Sequence, residues 1–197
     1  SYCVVEASFG LLVFGAMGII SCVLRAGEIC PPLASADDNA RFCCAGDNVK
    51  ITSAGYAAQI ASAGYSARIG SVGYNAHIGS SGDRGRIAVA GNSARISSLG
   101  DRNRIACGGD LTQLACFGAE SKIANCADNI HIIASGENAV VASTGVVDSI
   151  ILGPGGCAAL AYHDGERMRF ALAVEGENNI RAGVKYRLNE DHQFVEC

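Results

Sequence analysis

With 197 residues and a formal net charge of −4, the chain is long enough for one domain and too weakly charged to hold a polyanion by bulk attraction. Apolar residues make up 49% but aromatics only 6%, with no Trp, 25 Gly and 3 Pro, which excludes a thick globular core and suits a thin interior of small side chains. Its ten cysteines form no CxxC pair and no Cys/His cluster of zinc spacing, so no metal or cofactor is expected and the thiols read as reduced, core-filling groups.

The first element is an uncharged run of sixteen residues, FGLLVFGAMGIISCVL, from Phe9 to Leu24. It is short for a membrane span, has no basic segment before it and contains three Gly, so a membrane role is not favoured. Leu24 and Leu33 keep a weak phase of nine with the residues beyond Ala36, which reads as degenerate first coils. Residues 1–35 are therefore expected to cap the fold or to pair with a second copy, and self-association is favoured because the segment is too apolar for a solvated face. The residues expected to carry it are Phe9, Leu11, Leu12, Val13, Phe14, Ile19 and Ile20.

From Ala36 to Leu152 the chain repeats a unit of nine residues thirteen times without insertion or deletion. Position seven of the unit is apolar throughout, as in Phe42, Ile51, Ile60, Ile69 and Ile78. Position two is Gly from Gly46 to Gly118 and again at Gly136 and Gly145, with Ala127 between, which marks a corner that accepts only a Cβ-free backbone. Position five is small in the first units (Ala40, Val49, Ala58, Ala67, Ala76), position nine is mostly Ser or Cys, and position six between them is Arg, Lys, Gln or His from Arg41 to His131. That alternation predicts a short strand with five, seven and nine inside and six in solvent. Gly every nine residues and alternating β-branched Ile disfavour a helix.

A nine-residue unit cannot close a coil alone, so two units of nine make an 18-residue coil of an all-β solenoid, with residue n stacked on n+18 at about 4.8 Å. A three-sided coil of 27 residues would leave an interior too wide for Ala, Ser and Ile to fill. The β-solenoid is thus expected over residues 36–152. In such a stack alternate units share a face. One face then carries Lys50, Arg68, Arg86, Arg104 and Lys122 at position six, joined by Arg84 and Arg102 at position four. The other carries Arg41, Gln59, His77, Arg95, Gln113 and His131. The basic column Arg68, Arg84, Arg86, Arg102, Arg104 and Lys122 is the candidate partner site, suited to an acidic surface. The array holds nine basic and ten acidic residues, so the same column also reads as a solvated ladder whose like charges are relieved by Asp47, Asp83 and Asp101. Tyr56, Tyr65 and Tyr74 read as ordinary sheet ladders.

After Gly153-Pro154-Gly155-Gly156 the pattern changes, and residues 153–197 are expected to form a β-rich cap. AALAYHDGERMRFALAV turns at Asp164-Gly165, a hairpin signal, and AGVKYRLNEDHQFVEC reads as a second pair of strands. His163, Asp164, Glu190, Asp191 and His192 fall at turns without a nucleophile beside them, so catalysis is not expected.

The phrases GYSARIGS, GYNAHIGS and GDRGRIAVAGNSARIS resemble tandem SGDxARIxS-type nonapeptide repeats of uncharacterised bacterial and prophage-encoded proteins. That resemblance covers residues 36–152, extends to a β-rich tail, brings no catalytic motif, and implies a bacterial cytoplasmic or virion-associated setting. Calcium-binding nonapeptide solenoids need GGxGxD, and here Gly108, Gly109 and Asp110 are followed by Leu111. The function expected is a non-enzymatic structural or interaction scaffold, homo-oligomeric through its N-terminal segment, with an acidic partner on the basic stripe and no specific nucleic acid. A water-organising or ice-binding surface and a solenoid polysaccharide-acting enzyme are the other readings. The first needs an outward Thr ladder and the second long cleft-building loops, and neither is present in the array.

Overall fold

Alternation inside each unit becomes a four-residue strand followed by a five-residue corner in the computed structural model, which describes residues 32–197 in full and, before them, the backbone of three strands. Those three are β1 (Cys3–Glu6), β2 (Leu11–Phe14) and β3 (Ile19–Cys22). Next come β4 (Leu33–Ser35), β5 (Arg41–Cys44), β6 (Lys50–Ser53), β7 (Gln59–Ser62), β8 (Arg68–Ser71), β9 (His77–Ser80) and β10 (Arg86–Val89). The array continues with β11 (Arg95–Ser98), β12 (Arg104–Cys107), β13 (Gln113–Cys116), β14 (Lys122–Asn125), β15 (Ile130–Ala134), β16 (Val140–Ser143) and β17 (Val147–Leu152). The last four strands are β18 (Cys157–His163), β19 (Met168–Val174), β20 (Lys185–Leu188) and β21 (Phe194–Glu196). No helix occurs among the described residues.

The strands sort alternately into two sheets, a β-solenoid of 18-residue coils as the period implies. One sheet runs β1-β2-β3-β5-β7-β9-β11-β13-β15-β17-β20-β21 and the other β19-β18-β16-β14-β12-β10-β8-β6-β4. Pairing is parallel and in register: Ile51 lies opposite Leu33 and Ile69, and Ile96 opposite Ile78 and Leu114. Positions five, seven and nine meet between the sheets, with Ala40, Val49, Ile51, Ile105 and Leu114 all essentially inaccessible to water. The core is consequently a thin double layer of Ile flanked by Ala, Ser and Cys.

Some interior positions are polar. Buried Asn103 donates through Nδ2 to Ser98 Oγ at 2.6 Å and to Gly100 O at 2.7 Å, while its Oδ1 accepts from Gly85 N. Asn125 Nδ2 reaches Ser143 Oγ at 2.8 Å on the next coil. By contrast the buried hydroxyls of Ser53, Ser62, Ser71 and Ser80 have no hydrogen-bond partner among the described residues.

The corners do need a Cβ-free residue at position two, though not for its dihedral angle. None of the position-two glycines of the array has a positive φ; the left-handed residue is position four, where twelve non-Gly residues from Asn39 to Asn138 have φ between +53° and +59°. This conformation turns the position-four amide along the stack. Asn48 N–H donates to Tyr65 O, Ser66 N–H to Asp83 O and Arg84 N–H to Asp101 O, each at 2.8 Å. Gly at position two answers a different constraint. A Cβ on Gly64 would stand 1.8 Å from Gly46 O of the coil beneath. The glycine series therefore records how closely neighbouring coils approach, not the dihedral of the corner.

Both ends depart from the period. Ile20 of β3 lies opposite Phe42, so the strand before the array is offset by 22 residues and the phase carried by Leu24 is replaced there. Leu33 does keep it, opposite Ile51. The β1-β2 and β2-β3 pairings are antiparallel. Of the residues expected to self-associate, Leu11, Leu12, Val13 and Phe14 lie on β2, Ile19 and Ile20 on β3, and Phe9 lies outside the described residues. Near the other end a register shift falls between Ile130 and His131, and β16 meets β18 with Val140 opposite Cys157, 17 residues on. β18 and β19 form the expected hairpin, β20 and β21 a second antiparallel pair, and Ile180 and Tyr186 are buried against the last coil.

Thiol placement is mixed. Cys44, Cys107 and Cys116 are buried as expected, and burial pushes the Cys107 thiol above its ordinary pKa. Cys43 and Cys126 are exposed because position eight and the corner start face solvent, and Cys197 is exposed beyond β21, so these three are not core-filling.

Candidate functional site

Position six stands in solvent on every strand from β5 to β16, and in-register stacking turns it into columns. Lys50, Arg68, Arg86 and Arg104 lie directly opposite one another on β6, β8, β10 and β12. Arg84 and Arg102 come from the left-handed corner position of the same coils. Together these six cations line a groove of about 510 Å³ whose other lining residues are Asn48 and Ser66, with no carboxylate among them. Neighbouring position-six charges about 4.8 Å apart repel by about 1 kcal/mol in a water-like dielectric, less with salt. An anion in the groove would relieve that repulsion.

Two of the cations have partners. Arg102 Nε donates to Glu120 Oε2 at 2.9 Å, and this pairing holds the Glu120 carboxyl below its usual range and raises Arg102 further. The Arg84 guanidinium sits 5.7 Å from the Tyr65 ring centre, a cation–π distance. Lys122 continues the column opposite Arg104 but lines an adjoining groove floored by Gly70, Ala88, Ala106 and Ala124. The structure thus brings Arg68, Arg84, Arg86, Arg102 and Arg104 together, adds Lys50, and sets Lys122 at the margin.

Asp47, Asp83 and Asp101 were expected to neutralise this column. They do something more specific. Asp47 Oδ1 accepts from Tyr65 N at 2.8 Å, Asp83 Oδ1 from Asp101 N at 2.9 Å, and Asp101 Oδ1 from Ala119 N at 2.8 Å. Asp38, Asn92, Asp110 and Asp128 make the same bond one coil onward. Position three is therefore a ladder of side-chain caps on corner amides, and the sequence signal for it was the recurrence of Asp or Asn after Gly. Tyr56, Tyr65 and Tyr74 occupy this corner position, not strand positions, and each is about half exposed. Tyr56 Oη accepts from Asn75 Nδ2 at 2.7 Å.

The opposite face carries a larger groove of about 1130 Å³, bordered by Arg41, Gln59, His77, Arg95, Gln113, His131 and Lys185. It is floored by position-eight residues such as Ala61, Gly79 and Ala115. At one end His131 Nδ1 is hydrogen-bonded to Ser149 Oγ at 2.8 Å, and its Nε2 lies 3.9 Å from Asp148 Oδ2. Ser149 is only 5% exposed and its hydroxyl is engaged by the ring nitrogen; the Asp148 contact is too long for a hydrogen bond. This is a cross-strand pair at the register shift, with the serine hydroxyl buried beneath the ring. His163 and Asp164 build the hairpin turn: His163 Nδ1 accepts from Gly165 N, and Asp164 pairs with Arg169. His192 stacks on Tyr162 with ring centres 4.1 Å apart. No group of three or more His, Cys, Asp or Glu suited to a metal ion occurs among the described residues, and no described helix is long and apolar enough to cross a membrane.

Over 52 residues the chain is 88% identical to the uncharacterized protein YdhT of Escherichia coli (strain K12). The matched stretch covers 26% of this chain and 19% of YdhT. No family model and no solved structure matches the chain.

Proposed function

We propose that this protein is a non-catalytic repeat scaffold, a rigid rod whose groove of Lys50, Arg68, Arg84, Arg86, Arg102 and Arg104 takes an acidic surface of a partner protein. The observation that carries the reading is six cations lining one groove, of which Arg102 is paired with Glu120 outside the lining, held on coils that the parallel ladders fix in register. The unbroken array supports it too, because coils without insertions build flat faces instead of the looped clefts of carbohydrate-active solenoids. Self-association through the N-terminal segment belongs to the same proposal, supported by the position of β1 as the outer strand of its sheet.

Binding of a fluorescent polyglutamate peptide, followed by anisotropy at rising salt, tests the groove. The intact chain should bind at low salt and release as salt screens the contacts. Arg68→Glu, Arg86→Glu and Arg104→Glu together should abolish binding while leaving the β-sheet circular dichroism unchanged. Equal binding by the triple variant would overturn the proposal.

A further inference from the structure

β19 is the outer strand of the second sheet, and its seven residues pair with β18 on one side only. The hairpin register decides which of its backbone groups are left over. Glu175 N–H donates to Gly156 O and Asp164 N–H to Arg167 O, which places the odd-numbered residues of β19 in bonded pairs with β18. The even-numbered residues point their N–H and C=O groups away from the sheet. Met168, Phe170 and Leu172 have no backbone partner on that edge among the described residues.

Those residues also bear apolar side chains in solvent. Met168 is 58% exposed, Phe170 55% and Leu172 68%, with Val174 next in the alternation. A long edge strand that is both unpaired and apolar is what soluble proteins ordinarily shield with charge, proline or a covering element. Here the flanking charges have a different arrangement. Arg167 lies four residues before Ala171, and Glu175 four residues after it.

We infer that β19 pairs antiparallel with β19 of a second copy of this chain, about a two-fold axis at Ala171, joining the two second sheets edge to edge. In that register Phe170 faces Leu172 of the copy, and the pair exchanges both N–H···O bonds from groups that are unpaired in the single chain. Met168 meets Val174, so the two apolar stripes stand side by side as cross-strand pairs on one face. Arg167 falls opposite Glu175 of the copy at each end, where opposite charges meet. One strand supplies matching halves of the backbone edge, of the apolar stripe and of the ion pairs, which is the self-complementarity an isologous contact requires. This interface is independent of the basic groove and lies on the other sheet from the N-terminal strands.

Light scattering on the full chain across a concentration series tests the assignment, with circular dichroism as the check on folding. The intact chain should move to twice its monomer mass. Phe170→Lys places a charge on the edge without touching the core, and should weaken association by about tenfold or more. Leu172→Pro removes an outward N–H while keeping the inward bonds to β18, and should do the same. Arg167→Glu alone should weaken association, and Arg167→Glu combined with Glu175→Arg should restore it. A chain that stays at monomer mass overturns the inference. So does a dimer that is indifferent to both edge variants, which would place the contact at the N-terminal segment and leave the groove proposal untouched.

Discussion

Replacing Gly64 by Ala tests whether neighbouring coils really set the glycine series. An ideal Cβ there lies 1.8 Å from Gly46 O and 2.4 Å from Gly46 C. Ordinary contact needs about 3.5 Å, so the two corners would have to part by more than about 1 Å. Three bonds span that gap: Asn48 N–H to Tyr65 O at 2.8 Å, Tyr65 N–H to Asp47 Oδ1 at 2.8 Å, and Ala63 N–H to Cys44 O at 3.0 Å. Losing them at about 1 kcal/mol each gives a destabilisation of about 3 kcal/mol, at the upper end of the usual cost of overpacking. Gly70→Ala is the control. Its Cβ would meet nothing within 4 Å, so it should be neutral or stabilise by up to about 1 kcal/mol through the unfolded chain. Urea unfolding followed by circular dichroism compares the two midpoints. Ala127 shows how the array tolerates a Cβ at this position. Asn125 brackets it, with Nδ2 donating to Ala127 O at 2.8 Å and Oδ1 accepting from Ala127 N at 3.1 Å. Adding Ser62→Asn to Gly64→Ala should therefore recover part of the loss. Equal midpoints for Gly64→Ala and Gly70→Ala would refute the close-approach argument.

Particular side chains give three further expected outcomes. Ser71→Ala removes a buried hydroxyl that has no partner among the described residues, and should raise stability by about 1 kcal/mol in a thermal melt; a fall would mean that the hydroxyl is satisfied in solution. Leu111 sits at φ +58°, so Leu111→Asn should stabilise by about 1 kcal/mol in the same assay, and Leu111→Gly less because of its added unfolded-chain entropy. Asp164 is held well below the usual carboxylate range by Arg169 first, then by the amides of Arg167 and Glu166. Its contribution to the hairpin is complete above about pH 4, the range of a free aspartate, and is lost only as pH falls toward the depressed native value. Amide shifts of Glu166 and Arg167 followed by NMR should stay constant from neutral pH to about 4 and move below it, and Asp164→Asn should abolish that acid step.

Much of the scaffold was legible because the forces behind it are local to the unit. Ile at position seven, with small residues at five and nine, must face inward if the backbone is extended, and burial tracks that alternation from Ala40 to Ile150. The Asp164-Gly165 hairpin was legible for a similar reason, a turn between alternating strands. The basic column needed one further step, the coil length, and its members then coincide on one face. The work of Asp at position three was hidden, because the amide each one caps belongs to a residue 18 places onward. The apolar face of β19 was hidden as well. MRFALAV alternates like any half-buried strand, and only its place at the end of the sheet leaves that face uncovered.

The nine-residue period by itself determined the strand, the corner and the pairing of two units in a coil, since each depends on alternation within the chain and on how far a strand and a turn can reach. Contacts between coils were decided only by the tertiary structure. These include the reason for Gly at position two, the left-handed backbone that even Leu111 and Glu120 adopt, the 22-residue offset at Phe42, and the open edge of β19. The physical reason is common to all four: each is fixed by atoms of a neighbouring strand or coil, or by their absence, and a sequence pattern states only what a residue prefers before that neighbour is in place.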